Sequence, residues 1–143
     1  MSIHQISVFL ENRAGQLAEI TSILSDHHID LRAINIAETS DYGVLRLIAN
    51  DSHKAAEVLL EHSFILSMTP VVAVGVPDRP GGLAELLHTL SAANIDIEYM
   101  YSVFGQKDGK AYMIFRVSDV ELFNSVLTQN GMAPAAGEEL GVH

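Results

Sequence analysis

The chain has 143 residues, a formal net charge of −10 and no cysteine. That length suits one average domain or two small ones. The missing cysteine excludes disulfides, thiolate metal sites and cysteine nucleophiles, and the few, scattered Lys and Arg exclude the cation clusters that nucleic-acid binding draws on.

An apolar fraction of 48% fits a packed globular chain rather than a disordered one. No apolar run reaches the ~18 residues of a membrane span, and no basic start precedes an apolar signal region. A cytoplasmic location, with no membrane partner, is the default expectation.

In chain order, residues 3–10 (IHQISVFL) read as a strand. Leu17, Ile20, Ile23 and Leu24 follow at helical spacing, with polar residues on the other face. Residues 31–38 and 44–49 read as strands joined by a turn at Asp41-Tyr42-Gly43. Val58, Leu59 and Leu60 mark a second helix, and residues 64–68 a closing strand. The order then begins again with a strand at 71–76 (VVAVGV) and a helix carrying Leu83, Leu86, Leu87, Leu90 and Ala93. A strand at 97–104 (IEYMYSVF), a hairpin turn at Asp108-Gly109, a strand at 111–117 and a helix with Leu122, Phe123, Val126 and Leu127 come next. Residues 132–136 should close this half, but Pro134 restricts them to an edge strand or a bulge. A last strand there is short or absent.

The restart is a duplication. Residues 12–19 (NRAGQLAE) and 78–85 (DRPGGLAE) are identical at five of eight positions, 66 positions apart. Ile29-Asp30-Leu31 answers Ile95-Asp96-Ile97 at the same offset, whereas residues 55–64 answer 123–132 at 68. A two-residue insertion therefore lies between, most simply around Gln106-Lys107-Asp108. The expected organisation is two units, 1–69 and 70–143, of the α+β class. Each is a ferredoxin-like βαββαβ unit with a four-stranded antiparallel sheet and two helices on one face. Cores of about 70 residues are near the lower limit for independent stability, so the units should lean on each other or on another copy.

Two βαββαβ units, each with [Asn/Asp]-Arg-[Ala/Pro]-Gly-x-Leu-Ala-Glu entering its first helix and Ile-Asp-[Leu/Ile] leaving it, resemble ACT domains. The whole chain is similar to small tandem-ACT proteins that carry no catalytic domain. The resemblance implies a regulatory protein with no catalytic residue and no cofactor. It implies a free amino acid or a similar small zwitterion as ligand, bound where two ACT units meet.

The octets have a physical use in that role. A turn leaving a strand and entering a helix exposes the first unpaired N–H groups of the helix. Gly15 and Gly81 let a ligand approach the main chain there, and a carboxylate is favoured at a helix N-terminus. Pro80 suits a first-turn position, where its missing N–H costs nothing. Asn12 and Asp78 carry acceptors for an ammonium group, or else simply cap their helices. The candidate ligand-binding residues are therefore Asn12, Arg13, Ala14, Gly15, Gln16 and Leu17 at the first octet, and Asp78, Arg79, Pro80, Gly81, Gly82 and Leu83 at the second. Asn35, Ile36, Tyr101 and Ser102 are candidates for an enclosing wall, and the difference between the equivalent Asn35 and Tyr101 suggests two unlike sites. The structural alternatives are a glycine that only makes the turn, arginines that are solvated surface cations, and Leu17 and Leu83 in the core.

Residues 98–104 (EYMYSVF) are the most aromatic stretch. Alternation places Tyr99, Tyr101 and Val103 on one face and Glu98, Met100, Ser102 and Phe104 on the other. One face should pack on helices, and the other could form a dimer interface or a ligand wall. Seven histidines show no short ligand-spaced pair, so no metal site is expected. The leading function is an effector-binding regulator, a homodimer that acts on a metabolic enzyme. The alternative is a ligand-independent association module that joins a metabolic enzyme or transporter through its sheet face. The βαββαβ scaffold also hosts enzymes, but no nucleophile–base pair is readable here. An RNA-binding reading fails on charge.

Overall fold

Strand β1 (Ile3–Glu11) puts Ile6, Val8 and Leu10 on one face, and this alternation decides what the first half of the chain buries. The computed structural model describes residues 3–11, 13–38, 42–105 and 107–143. Asn12, Asp41 and Gln106, on which the octet and turn readings touch, lie outside the described residues. After β1 come α1 (Gln16–Asp26), β2 (Leu31–Glu38), β3 (Tyr42–Ala49), α2 (Ser52–Glu61) and β4 (Ile65–Pro77). The order repeats with α3 (Gly82–Ala92), β5 (Ile97–Ser102), β6 (Lys110–Val117) and α4 (Val120–Gln129). Among the described residues no helix is long and apolar enough to cross a membrane.

The chain divides into two compact units, residues 4–69 with 141–143, and Ile3 with residues 70–140. In the first, strands lie in the order β2-β3-β1-β4, with β3 antiparallel to both β1 and β2. Its core joins Ile6, Val8, Leu10, Leu45 and Leu47 to Ile20 and Leu24 of α1 and Leu59 of α2. In the second, the order is β4-β6-β5. Val72, Val74, Val76, Phe115 and Val117 meet Leu86 and Leu90 of α3 and Phe123 and Leu127 of α4. Each unit thus carries two helices on one sheet face, the α+β ferredoxin-like arrangement that the periodicity predicts. The insertion lies between β5 and β6, because the starts of β2 and β5, Leu31 and Ile97, are 66 positions apart whereas the ends of β3 and β6, Ala49 and Val117, are 68 apart.

Two expectations change, and the closing strand expected to be short or absent is absent. The strands expected at 64–68 and 71–76 are one strand, β4, running through Pro70; the Pro70 carbonyl accepts from Arg116 Nη1 at 2.9 Å. Residues 132–136 form no regular strand. Pro134 has no N–H to give a ladder, and the contact with β4 is the Ala135 N–H on the Ala73 carbonyl, 2.7 Å. In β5 a bulge between Ile97 and Tyr99 shifts the register, so Ile97 and Met100 both reach the helix-side core. Tyr101 and Val103, on the other face, are buried within the chain. The aromatic stretch is therefore not the open interface that alternation suggested.

All four described α-helices end alike. The amide two places past each C-cap bonds back to the carbonyl five residues earlier: Ile29 to Leu24, Phe64 to Leu59, Ile95 to Leu90 and Met132 to Leu127, at 2.8–3.1 Å. The residue between is left-handed: His28, Ser63, Asn94 and Gly131. This is the Schellman motif, which wants an apolar residue just beyond its left-handed position. It explains the repeated Ile of the Ile-Asp motif, Ile29 and Ile95, as a helix stop. Helices α2 and α4 begin on Asp51 and Asp119, whose carboxylates accept from Lys54 N and Leu122 N at 3.1 and 3.0 Å.

Ser63 holds φ 67° where the second unit has Gly131. A left-handed non-glycine residue costs roughly 1–2 kcal/mol, partly offset by glycine's larger entropy loss on folding. Ser63→Gly should raise the unfolding free energy by about 0.5–1 kcal/mol in urea titration, whereas Asp51→Ala should lower it by about 1 kcal/mol.

Candidate functional site

Leaving β1, the chain turns sharply: the Arg13 N–H donates to the Glu11 carbonyl at 2.9 Å, and Gly15 takes φ 84°, ψ −7° immediately before α1. Leaving β4, the Arg79 N–H donates to the Pro77 carbonyl at 2.9 Å, and Gly81 takes φ 88°, ψ −12°. The Gly82 N–H closes that bend on the Arg79 carbonyl at 3.0 Å. These are type II geometries, with glycine at the third position and Pro80 at the second. Pro80 therefore belongs to the turn before the helix, not to its first turn. The N-cap residues are Gly15 and Gly81, which offer no side-chain cap. The N-cap position itself is therefore glycine in both units, not Asn12 or Asp78. The Asp78 N–H donates to the Gly109 carbonyl at 2.9 Å.

A glycine cap leaves the first helical amides open, and those of Leu17 and Ala18 meet no partner among the described residues. The shared Arg and Glu of the octets pair with each other, Arg13 Nη2 to Glu19 Oε2 at 3.4 Å and Arg79 Nη2 to Glu85 Oε1 at 3.3 Å. Exposed pairs of this kind contribute about 0–1 kcal/mol. They brace the bend.

A cavity of about 130 Å³ opens at the first octet, lined by Leu10, Glu11, Arg13, Gln16, Leu17, Ile36 and Gly43. At ~30 Å³ per water it has room for about four. Gln16 is only 7% exposed, and its Oε1 is buried with no hydrogen-bond partner among the described residues. Such an acceptor costs about 1–3 kcal/mol while unsatisfied. Leu17 and Ile36, at 40% and 41% exposure, form an apolar rim. Leu17 is thus a rim residue rather than core, while Leu83 packs on the second core. A Cβ on Gly15 would meet nothing within 4 Å, so the bend is open.

Of the three positions at which the octets differ, one changes the space beside the helix. Gly82 stands where the first has Gln16, and a Cβ there would lie 2.0 Å from the Pro77 carbonyl oxygen. The main chain has closed over the space that a side chain would use. A Cβ on Gly81 would meet only Arg79 Nη1, at 4.0 Å.

Of the candidate wall residues, Ile36 joins the first octet. Asn35 points to the opposite face, where its Oδ1 accepts from Arg46 Nη1 at 3.1 Å. Tyr101 stacks on Tyr99, with ring centroids 6.4 Å apart, and Ser102 is exposed; neither lines this cavity. Leu10, Glu11 and Gly43 are additions that sequence reasoning missed. Gly43 faces Leu10 across the β1–β3 ladder, a placement that depends on register. Among the described residues no group of three or more His, Asp or Glu could hold a metal ion.

The family described as an ACT domain pair matches residues 1–142. The chain belongs to that family. Among solved structures, protein BT0572 from Bacteroides thetaiotaomicron is 38% identical, over 99% of this chain and 96% of its own, with a TM-score of 0.90. The ligand-free regulatory subunit of aspartate kinase from Thermus thermophilus is 15% identical, over 88% of this chain and 91% of its own, with a TM-score of 0.60. The corresponding subunit from Thermus flavus is 18% identical, over 90% and 93%, with a TM-score of 0.56. The last two likenesses are of fold. No curated protein matches the chain.

The two bends should respond differently to a methyl group. Gly15→Ala meets only the left-handed backbone penalty and should cost roughly 1–2 kcal/mol. Gly82→Ala must move the Pro77 carbonyl as well, and overpacking alone costs about 1–3 kcal/mol. Urea unfolding of the two variants should therefore rank Gly82→Ala as the more damaging.

Proposed function

We propose that the protein is a non-catalytic regulator that binds a free amino acid, or a similar small zwitterion, at the first glycine bend. The observation that supports this reading is the buried Oε1 of Gln16, which has no hydrogen-bond partner among the described residues, beside the glycine-capped start of α1. The ligand carboxylate would sit on the Leu17 and Ala18 amides, at the positive end of the helix. Its ammonium would donate to Gln16 Oε1, with Asn12 as a further acceptor. The second bend, at Asp78 to Leu83, would serve the same class of ligand less well, because Gly82 supplies no side chain.

Energy requires a lid. A helix terminus gives a charge about 0.3–1 kcal/mol when exposed and ~2 when partly buried, whereas micromolar affinity needs about 8 kcal/mol. The rim of Leu17 and Ile36 is where an ACT unit of a second copy would close the site, which makes the working form a homodimer. Ligand would then stabilise that form and shift its affinity for a regulated enzyme, and the coupling must run both ways. The rival reading, association through the sheet face without ligand, is supported by the exposed Phe9 and Tyr42. Capture of a partner that ignores added amino acids would favour it.

Calorimetric titration against the twenty amino acids should find at least one that binds. Gln16→Ala should weaken it about tenfold or more, the loss of one hydrogen bond to a charged group. Ligand should also move the sedimentation coefficient toward the dimer. Silence from all twenty, with folded protein, removes this reading.

A further inference from the structure

A second cavity, of about 400 Å³, lies wholly within the second unit. Its floor is made by a missing side chain. Gly75 faces Tyr112 across the β4–β6 ladder, and a Cβ at Gly75 would stand 2.9 Å from the Tyr112 ring and 3.2 Å from Lys110 Cδ. Glycine therefore lets the phenol ring and the lysine stem lie over the strand. The far wall is the segment 131–135, held by the Met132 N–H on the Leu127 carbonyl at 2.8 Å and the Ala135 N–H on the Ala73 carbonyl at 2.7 Å. Glu139 completes the lining; its Oε2 accepts from the Ala136 N–H at 2.7 Å, leaving Oε1 available.

Tyr112 is 6% exposed, yet its hydroxyl bonds no described residue, and neither does the Lys110 ammonium. Burial, with the Glu139 and Asp108 carboxylates, raises the Tyr112 pKa above its ordinary 10.0, so the phenol remains an O–H donor at neutral pH. A cation and a phenol donor near a carboxylate complement a ligand that has an anionic end and a donor end. The volume falls within the roughly 300–1,000 Å³ of small-molecule sites.

We propose that this cavity is a second ligand site, taking a small carboxylate that carries an ammonium or hydroxyl group. Lys110 and Tyr112 hold the carboxylate, and Glu139 accepts from the donor. The site shares no residue with the first glycine bend and stands or falls independently of it.

The test is a ¹⁵N–¹H NMR titration of the full chain with L-alanine, L-glutamate, L-lactate and acetate, each into the millimolar range. An amino acid or lactate should shift the amides of Gly75, Tyr112, Ala133 and Ala135, and acetate, lacking the donor, should bind about tenfold more weakly or not at all. Lactate against alanine separates hydroxyl from ammonium recognition. Lys110→Met and Tyr112→Phe, an exposed residue and an isosteric ring, should each weaken the response about ten- to a hundredfold. Gln16→Ala should leave it unchanged. Unmoved amides with alanine, glutamate and lactate, or shifts that survive in both Lys110→Met and Tyr112→Phe, would overturn the proposal.

Discussion

The left-handed glycine at each strand–helix bend sets how the rest of the molecule can be used. With φ 84° at Gly15 and 88° at Gly81, the chain enters α1 and α3 through a residue that has no side chain to cap them. Helices α2 and α4 begin the ordinary way, with Asp51 and Asp119 occupying first-turn amides. One chain thus contains two kinds of helix start. The Asp-capped pair is internally satisfied. The glycine-capped pair has no N-cap side chain to occupy its first amides, and the Arg–Glu pairs that straddle the bends stiffen them without filling them.

Duplication copied the backbone more faithfully than the chemistry. The bends superpose in conformation, and all four helix stops use the same left-handed motif. At the position after the glycine, however, Gln16 lines a cavity, whereas Gly82 lets the Pro77 carbonyl close on the helix. A side chain and a carbonyl oxygen cannot share that volume, so the exchange removes space as well as an acceptor. In the second unit a cavity lies elsewhere, over Gly75, where another glycine has admitted Tyr112 and Lys110. Glycine acts in three ways here: left-handed bend at 15 and 81, close main-chain approach at 82, and ring cradle at 75.

Much of this is local and was readable from residue order. Apolar spacing located the helices, the octet located the bends, and the change of offset from 66 to 68 located the insertion between β5 and β6. Residues whose role depends on neighbours distant in sequence were misread or missed. Leu17 has helical core spacing but sits at the rim beside Ile36. Tyr101 belongs to an alternating strand, but one bulge and the surrounding chain bury it. Pro80 has the signature of a helix start, yet its fixed φ serves the preceding turn equally well.

Sequence by itself determined the duplication, the element order, the α+β class and the two glycine bends, because periodicity and backbone permissiveness act over a few residues. Tertiary structure alone decided which bend has a cavity, that β4 continues through Pro70, and that Gly75 lies beneath Tyr112. Those outcomes depend on strand register and on volume shared between segments far apart in the chain, and no local pattern encodes either one.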